Sequence, residues 1–479
     1  MLRRNPLLVI IVAALACRLL LLPFLPIVDP TEGRYAVVSQ EMVLSNDWVT
    51  PRVWIEGELI PFLGKPPLFF WMAAGAMKVF GVNAFAARLP SWLALVALVA
   101  LLGWVLRRYA DERTSWLAMG LTVTCPVLLG VGGAVATDML LSLFVAGSIL
   151  VYAAFASEPD RRLRKRWSLF LFALLAGGFM TKGPVAIALF GLPVLAWTIR
   201  YRKWALLRDH SWGWGSALFL VLVVPWFWLC QQHNPDFLKY FFVNENFLRF
   251  VTHSYGDRYG KGHLYPHGSA IVMLLIAALP WSLHAGWARW QHRRETSWRR
   301  SDELTSLLFL GIVMPTLFWC LARQLLITYL LPMVPLFCAW LALTLPRTTV
   351  LWRTPGKVVG SVLGVFLAAA LVAGGWVSGN QSSKGIVDYA MAQSDRPLLF
   401  ARNIPYSAYF YGRGRLLIHP KWPMDATIQE ALGTATPGLL VIKRRDMGDL
   451  PPEVLPQLRL VASRGAHVAY EVVRTEPAE

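Results

Sequence analysis

Two short stretches of this chain hold ionisable side chains in a pattern that suits chemistry: Asp-Pro-Thr-Glu-Gly-Arg-Tyr-Ala at 29–36 and Gly-Lys-Pro-Pro at 64–67. Both lie in a polar segment, 25–86, that is longer and more charged than a loop needs to be to join two apolar stretches. Asp29, Glu32 and Asp138 are the carboxylates at the outer edges of apolar stretches. One could take a proton from an acceptor hydroxyl or amine, and another could face the positive charge that grows at a sugar carbon. Arg34, Tyr35, Lys65, Lys182 and Arg323 supply cations and a phenol suited to holding a phosphate as it leaves. Lys65 is followed by Pro66 and Pro67, which restrict the local backbone and favour a preorganised charge.

The same residues admit plainer readings. Asp29, with Pro30 next and Glu32 three residues on, fits a helix N-cap with a partial capping box, and Asp138 after Thr137 fits the start of a helix. Lys182 and Arg323 could reach lipid headgroups. In a second polar segment, 231–267, His233, His253, His263 and His267 accompany Asp236, Glu245 and Asp257. Their spacings match no tight metal-ligand pattern, so a divalent ion is possible there but no cofactor is assigned.

These groups must be positioned by a membrane protein. The 479 residues are 56% hydrophobic and 15% charged, with a mean hydropathy of +0.48. Apolar stretches run at 7–24, 87–106, 115–131, 139–156, 168–181, 183–199, 213–230, 268–288, 304–321, 325–345 and 358–377. The expected fold is mainly α: a polytopic membrane helical bundle of about eleven spans, eleven to thirteen at most, with periplasmic juxtamembrane helices. The pairs at 168–199 and 304–345, broken by Lys182 and Pro184 and by Arg323 and Gln324, could instead be re-entrant. After Gly379 the composition becomes that of soluble sequence. β-like runs at 397–401, 415–419, 438–443 and 468–473 and helix-like stretches at 406–411 and 425–432 predict a small α/β domain. The domains expected are therefore 1–379, carrying the outer loops 25–86 and 231–267, and 380–479.

The formal net charge of +18 is not a nucleic-acid signature. The basic residues cluster in short breaks between spans and mark the cytoplasmic side, which puts the amino terminus inside and the tail outside. The five cysteines, Cys17, Cys125, Cys230, Cys320 and Cys338, all fall in apolar stretches and imply no disulfide framework. The first stretch lacks a small-x-small cleavage site and reads as a retained signal anchor. No Walker A loop or dinucleotide fingerprint is present, so group transfer on the outer face requires a donor delivered in the membrane, such as a polyprenyl-phosphate sugar.

The segment 29–36, followed by Asp47-Trp48-Val49-Thr50-Pro51, Lys65-Pro66-Pro67, Phe85-Ala86-Ala87-Arg88, Thr181-Lys182-Gly183-Pro184, Asn234-Pro235-Asp236-Phe237, Pro280-Trp281 and Thr328-Tyr329, resembles the bacterial C-superfamily glycosyltransferases. Within that superfamily it is similar to the lipid A aminoarabinose transferases and the protein mannosyltransferases, over roughly 7–345. The resemblance implies an inner-membrane enzyme with a periplasmic active site. Its donor would be a polyprenyl-phosphate sugar, its acceptor a glycolipid such as lipid A or another glycan, and its surroundings membrane lipid. It also implies a catalytic carboxylate at Asp29 or Glu32, a phosphate-binding Lys65, a second carboxylate at Asp138, and Tyr329 near the lipid phosphate. Where the family carries metal ligands, this chain has Gly64, Asn244 and Asn246, so the resemblance carries over no metal site. Two rivals remain at this level: a lipid or glycan transporter without chemistry, and a transferase acting on protein or polysaccharide hydroxyls.

Overall fold

A computed structural model describes residues 5–252, 258–259, 263–293, 302–393, 397–412, 414, 416 and 438–473. Each of the eleven apolar stretches is helical. Among the described residues, six helices are long and apolar enough to cross a membrane: Ala84–Leu106, Thr137–Ser157, Pro184–Tyr201, Trp212–His233, Glu303–Cys320 and Pro355–Val377. Ser269–Ala277 and Trp281–Gln291, bent by 96°, make a seventh if counted as one span.

The other four expected spans are helices of different character. Pro6–Leu21 has 16 residues and Met333–Thr344 has 12. The stretch 115–131 is split at Cys125-Pro126 into Glu112–Val123 and Pro126–Val131. Arg161–Lys182 has 22 residues, but Arg161, Arg162, Arg164, Lys165 and Arg166 crowd its first two turns. The two doubtful pairs resolve differently. Arg161–Lys182 and Pro184–Tyr201 are full helices meeting at Gly183, whereas a non-helical stretch and a 3₁₀ turn, Ile327–Leu330, separate Glu303–Cys320 from Met333–Thr344.

Packing divides the chain into two compact units. One comprises Met1–Leu22, Leu63–Met72 and Arg88–Leu367; the other comprises Pro23–Phe62, Ala73–Ala87 and Ala368–Glu479. The boundary at 379/380 expected from composition follows chain order, whereas packing groups most of the first outer segment with the tail.

In the first unit, Thr137–Ser157 is buried along almost its whole length. Arg161–Lys182 packs against it closely because Gly177 and Gly178 face Phe144, whose ring leaves no space for a Cβ at Gly177. With no hydrophobic driving force between helices in lipid, such small residues give the close approach that dispersion needs. Arg18, inside an apolar helix, donates from Nε to Leu129 O at 3.1 Å and from Nη2 to Gly130 O at 2.8 Å. It thus adds a donor to carbonyls of the last turn of Pro126–Val131, of which Gly130 O also accepts from Gly133 N at 3.2 Å.

The second unit holds the helix Thr31–Ser45 and a hairpin of β1, Arg52–Ile55, with β2, Glu58–Pro61. The hairpin turn is Glu56-Gly57, with φ of 49° and 81°, the double positive φ that a two-residue turn of matching twist requires. The tail forms a four-stranded sheet in the order β3–β4–β6–β5, from Leu398–Phe400, Leu439–Lys443, His467–Val472 and Leu458–Arg464. β3 and β4 are parallel and the remaining pairs antiparallel. Leu399, Leu440, Ile442, Val468 and Tyr470 form its core. The alternation read at 397–401, 438–443 and 468–473 corresponds to β3, β4 and β6. β5 went unread because its charged ends, Arg459 and Arg464, mask the pattern. The predicted helix at 425–432 and most of the run at 415–419 lie outside the described residues.

Candidate functional site

The site in the first unit starts from a chain reversal. Arg161–Lys182 ends at Lys182; Gly183 has φ +78° and ψ −149°, a conformation that only glycine adopts readily; Pro184 then opens the next helix at its first position. An added Cβ at Gly183 would strike the ring of Phe241. Lys182 therefore sits in the last turn of one helix, where the helix dipole favours a cation, and it ion-pairs with Asp138 in the first turn of another, where the dipole favours a carboxylate. The side chains are only 7% and 10% exposed. Lys182 Nζ also lies 3.8 Å from the centre of the Tyr329 ring, which packs on Trp319 at 4.9 Å.

Beside this pair is a second cationic group. Lys65 donates to Gly64 O at 2.7 Å and ion-pairs with Glu245 Oε1. The same oxygen accepts from Arg249 Nη1 at 2.6 Å, and Arg249 Nε donates to Gln324 Oε1 at 3.0 Å. Burial alone would raise the Glu245 carboxyl, but Lys65 and Arg249 hold it below its ordinary value. Glu245 is carried on a π-helix, Tyr240–Leu248, a widened helical form found mostly as single turns at functional sites.

Both groups open onto one cavity of about 410 Å³. Its polar side is made by Lys65, Lys182, Glu245, Arg249, Gln324 and Tyr329, and its apolar wall by Val185, Ala188, Phe250, Phe318 and Trp319. A pocket lined by both cations and apolar side chains suits an amphiphilic anion, with the phosphate at the cations and the hydrocarbon against the apolar residues.

Of the residues singled out from sequence, this unit brings Lys65, Lys182, Asp138 and Tyr329 together. Arg323 does not line the cavity. Its backbone bonds to Phe250 O and Tyr265 N, each at 3.3 Å, while its neighbour Gln324 faces inward. Asp29, Glu32, Arg34 and Tyr35 belong to the second unit. Asp29 accepts from the backbone N–H of Ser407 at 2.9 Å and from the Ser407 hydroxyl, and burial pushes its carboxyl up to about 6 despite those bonds. Glu32 accepts from Val28 N at 2.9 Å, the reach-back of an N-terminal cap. The Arg34 guanidinium lies 5.5 Å from the centre of the Tyr35 ring and 5.9 Å from that of Phe62.

Sequence reasoning missed Arg249 and Gln324. The spacing of Glu245 and Arg249, four apart on a helical stretch, was the available signal for Arg249; nothing local marked Gln324. Among the described residues the histidine cluster does not assemble: His233 and His267 turn to the carbonyls of Leu229 and Cys320, at 2.9 and 3.1 Å, while His253 and Asp257 lie outside the described residues. Among the described residues no three His, Cys, Asp or Glu side chains converge as metal ligands. The surroundings of Glu245 do not fit a divalent ion either. Gly64 offers no side chain, Asn246 donates to Phe241 O at 2.7 Å, and the partners of Glu245 are both cations.

Comparison with known proteins fits this geometry. The family model of dolichyl-phosphate-mannose-protein mannosyltransferases matches residues 64–228. The undecaprenyl phosphate-alpha-4-amino-4-deoxy-L-arabinose arabinosyl transferase 1 of Sodalis glossinidius is 31% identical over 320 residues, 64% of this chain and 53% of that protein. The corresponding transferase of Enterobacter sp. is 30% identical over 357 residues, 73% of this chain and 60% of its own length. The matched region thus spans little more than half of such relatives. The crystal structure of ArnT from Cupriavidus metallidurans bound to undecaprenyl phosphate superposes with a TM-score of 0.75 at 18% identity, covering 97% of each chain. The archaeal oligosaccharyltransferase AglB of Archaeoglobus fulgidus gives 0.51 at 10% identity, covering 93% of this chain and 70% of that one. The chain is therefore a multi-pass membrane protein related by sequence and by fold to the C-superfamily glycosyltransferases, and within them to the aminoarabinose transferase and protein mannosyltransferase branches.

Proposed function

We propose that this protein transfers a sugar from a polyprenyl-phosphate donor to an envelope acceptor, lipid A or a related glycolipid, on the periplasmic face of the bacterial inner membrane. The observation that carries the reading is the cavity itself, lined by Lys65, Arg249, Lys182 and Tyr329 together with apolar side chains. The names of the relatives point to undecaprenyl phosphate as the carrier and to an aminoarabinose as the sugar. The distribution of basic residues supports an amino terminus in the cytoplasm and a tail in the periplasm.

In this reading Lys65 and Arg249 hold the donor's phosphate. Lys182 and Tyr329, backed by Asp138, stabilise the charge that gathers on it as the bond from the sugar's anomeric carbon to the phosphate oxygen breaks. The phosphate leaves with the bonding electron pair, and an acceptor oxygen forms the new bond to the same carbon. A phosphate acceptor is already anionic and needs no base, whereas a hydroxyl acceptor gives its proton to a carboxylate, the role for which Asp29 and Glu32 are proposed. The mannosyltransferase match over 64–228 favours keeping a hydroxyl acceptor as the second reading.

The test is mass spectrometry of envelope lipids and glycans from cells with the gene, without it, and with Lys65→Ala or Arg249→Ala. The expected result is loss of one sugar from one glycolipid and build-up of its lipid-linked donor in all but the intact strain. An unchanged set of lipids and glycans in the deletion strain would show the transferase reading to be wrong.

A further inference from the structure

The Glu245 carboxylate stands where an incoming phosphate would compete with it. Oε1 takes the charge of both Lys65 and Arg249, and the side chain is only 4% exposed. The other oxygen, Oε2, is buried and meets no hydrogen-bond donor among the described residues. A buried carboxylate oxygen without a donor is costly, and a side chain kept only for structure would be expected to satisfy both oxygens. The groups facing Glu245 or sharing its cavity are Lys65 from the first outer segment, Arg249 one turn along its own helix, Lys182 with its partner Asp138, and Tyr329; Tyr259 packs against Gly64 close by. Because Glu245 offsets only one of the two charges of Lys65 and Arg249, while Asp138 offsets that of Lys182, the cluster keeps a single net positive charge before a ligand enters, a match for one negative charge but not for two.

We infer that Glu245 is a charge selector for the lipid phosphate: it admits the singly charged phosphodiester of the donor and disfavours the doubly charged phosphomonoester left after transfer, so promoting product release. The inference rests on the donor-binding reading above. A phosphodiester brings one negative charge at any physiological pH. A freed phosphomonoester brings one below its second pKa of about 6 and nearly two above it. In its singly ionised form the monoester has a P–OH that can donate to Oε2. Once that proton is lost, lone pairs face lone pairs in a site of low dielectric, and the pair repels. Glutamine at 245 reverses the relation, since an amide N–H donates to a phosphate oxygen and carries no charge. The carboxylate is thus a specificity-determining group that weakens ground-state affinity for product without touching the breaking bond.

The experiment uses the full-length protein in nanodiscs, with a polyprenyl phosphate and its methyl phosphodiester as probes, and measures affinity from pH 5.5 to 8. For the wild type, the monoester should bind about tenfold more weakly at pH 8 than at pH 5.5, the scale set by one lost hydrogen bond or one added repulsion. The phosphodiester should hold its affinity within about threefold across the same range. Glu245→Gln should flatten or invert the monoester's dependence while leaving the phosphodiester's flat. The inference is overturned if the wild type binds the monoester more tightly as pH rises, or if Glu245→Gln keeps the wild-type slope. Should the variant fail to fold, the wild-type comparison of the two lipids decides alone. Wild-type protein that binds neither lipid at any pH would overturn the donor-binding reading, and this inference with it.

Discussion

Lys65→Ala separates the structural from the chemical role of the cationic cluster. The Lys65 side chain is 11% exposed and that of Glu245 is 4% exposed, so solvent does little to screen the pair. Removing one partner of a buried ion pair costs about 3–5 kcal/mol, chiefly because the surviving charge is left uncompensated. Here Arg249 stays on the same oxygen at 2.6 Å, so the loss should be nearer that of one charged hydrogen bond, about 2–3 kcal/mol. Glu245→Gln in the same chain leaves Arg249 without its carboxylate and should recover none of that stability. On the proposed reading turnover should fall in both variants, because Lys65 holds the donor's phosphate and losing a charged donor there costs about 10²–10³ in rate whatever the state of Glu245. Thermal unfolding in nanodiscs reports the first quantity, and mass-spectrometric turnover of a polyprenyl-phosphate sugar reports the second. The reasoning fails if the double variant is more stable than Lys65→Ala, or if either variant turns over at the wild-type rate.

Two other substitutions address the remaining parts of the proposed machinery. The Asp29 carboxyl is held up to about 6, above its unfolded value of roughly 3.9, so its contribution to stability is full below the unfolded pKa and is lost as pH rises through the folded one. Asp29→Asn keeps an acceptor for the Ser407 N–H but not a second one for its hydroxyl, and its stability relative to wild type should rise by ~2–3 kcal/mol between pH 4 and pH 8, as read by unfolding temperature; parallel pH profiles would refute this. Turnover measured on that folded variant tests the carboxylate's chemical role. Gly183→Ala forces a side chain into a glycine-only conformation against Phe241 and should cost ~1–3 kcal/mol or more. The same change should reduce turnover by moving Lys182, and an alanine variant with unchanged melting and turnover would show that the chain reversal does not position that lysine.

The histidines of the second outer segment show where local reading reached its limit. Their number suggested a metal, yet Glu245, at the centre of that group in sequence, is held by a lysine 180 positions away. Asp29 shows the same limit from the other side: its partner Ser407 lies 378 positions along the chain, so instead of capping Thr31–Ser45, whose cap residue is Pro30, it ties the first outer segment to the tail helix Tyr406–Gly412. The span count suffered for a related reason. Apolar windows mark helices well, but where a helix ends depends on breaks such as Cys125-Pro126 and on the charged first turns of Arg161–Lys182.

The sequence by itself determined that the chain is a helical membrane protein with a small sheet-containing tail, because long apolar runs in lipid must satisfy their backbone hydrogen bonds within the helix and alternating runs outside it pair as strands. It also singled out Lys65 and Lys182, whose proline and glycine neighbours constrain the backbone locally. Only the tertiary structure decided that these two lysines share a cavity with Arg249, Gln324 and Tyr329, and that Glu245 ion-pairs with Lys65 and Arg249. Such pairings depend on which helix faces meet across long sequence separations, and that choice is made by the packing of many weak contacts together, not by the periodicity of any one segment.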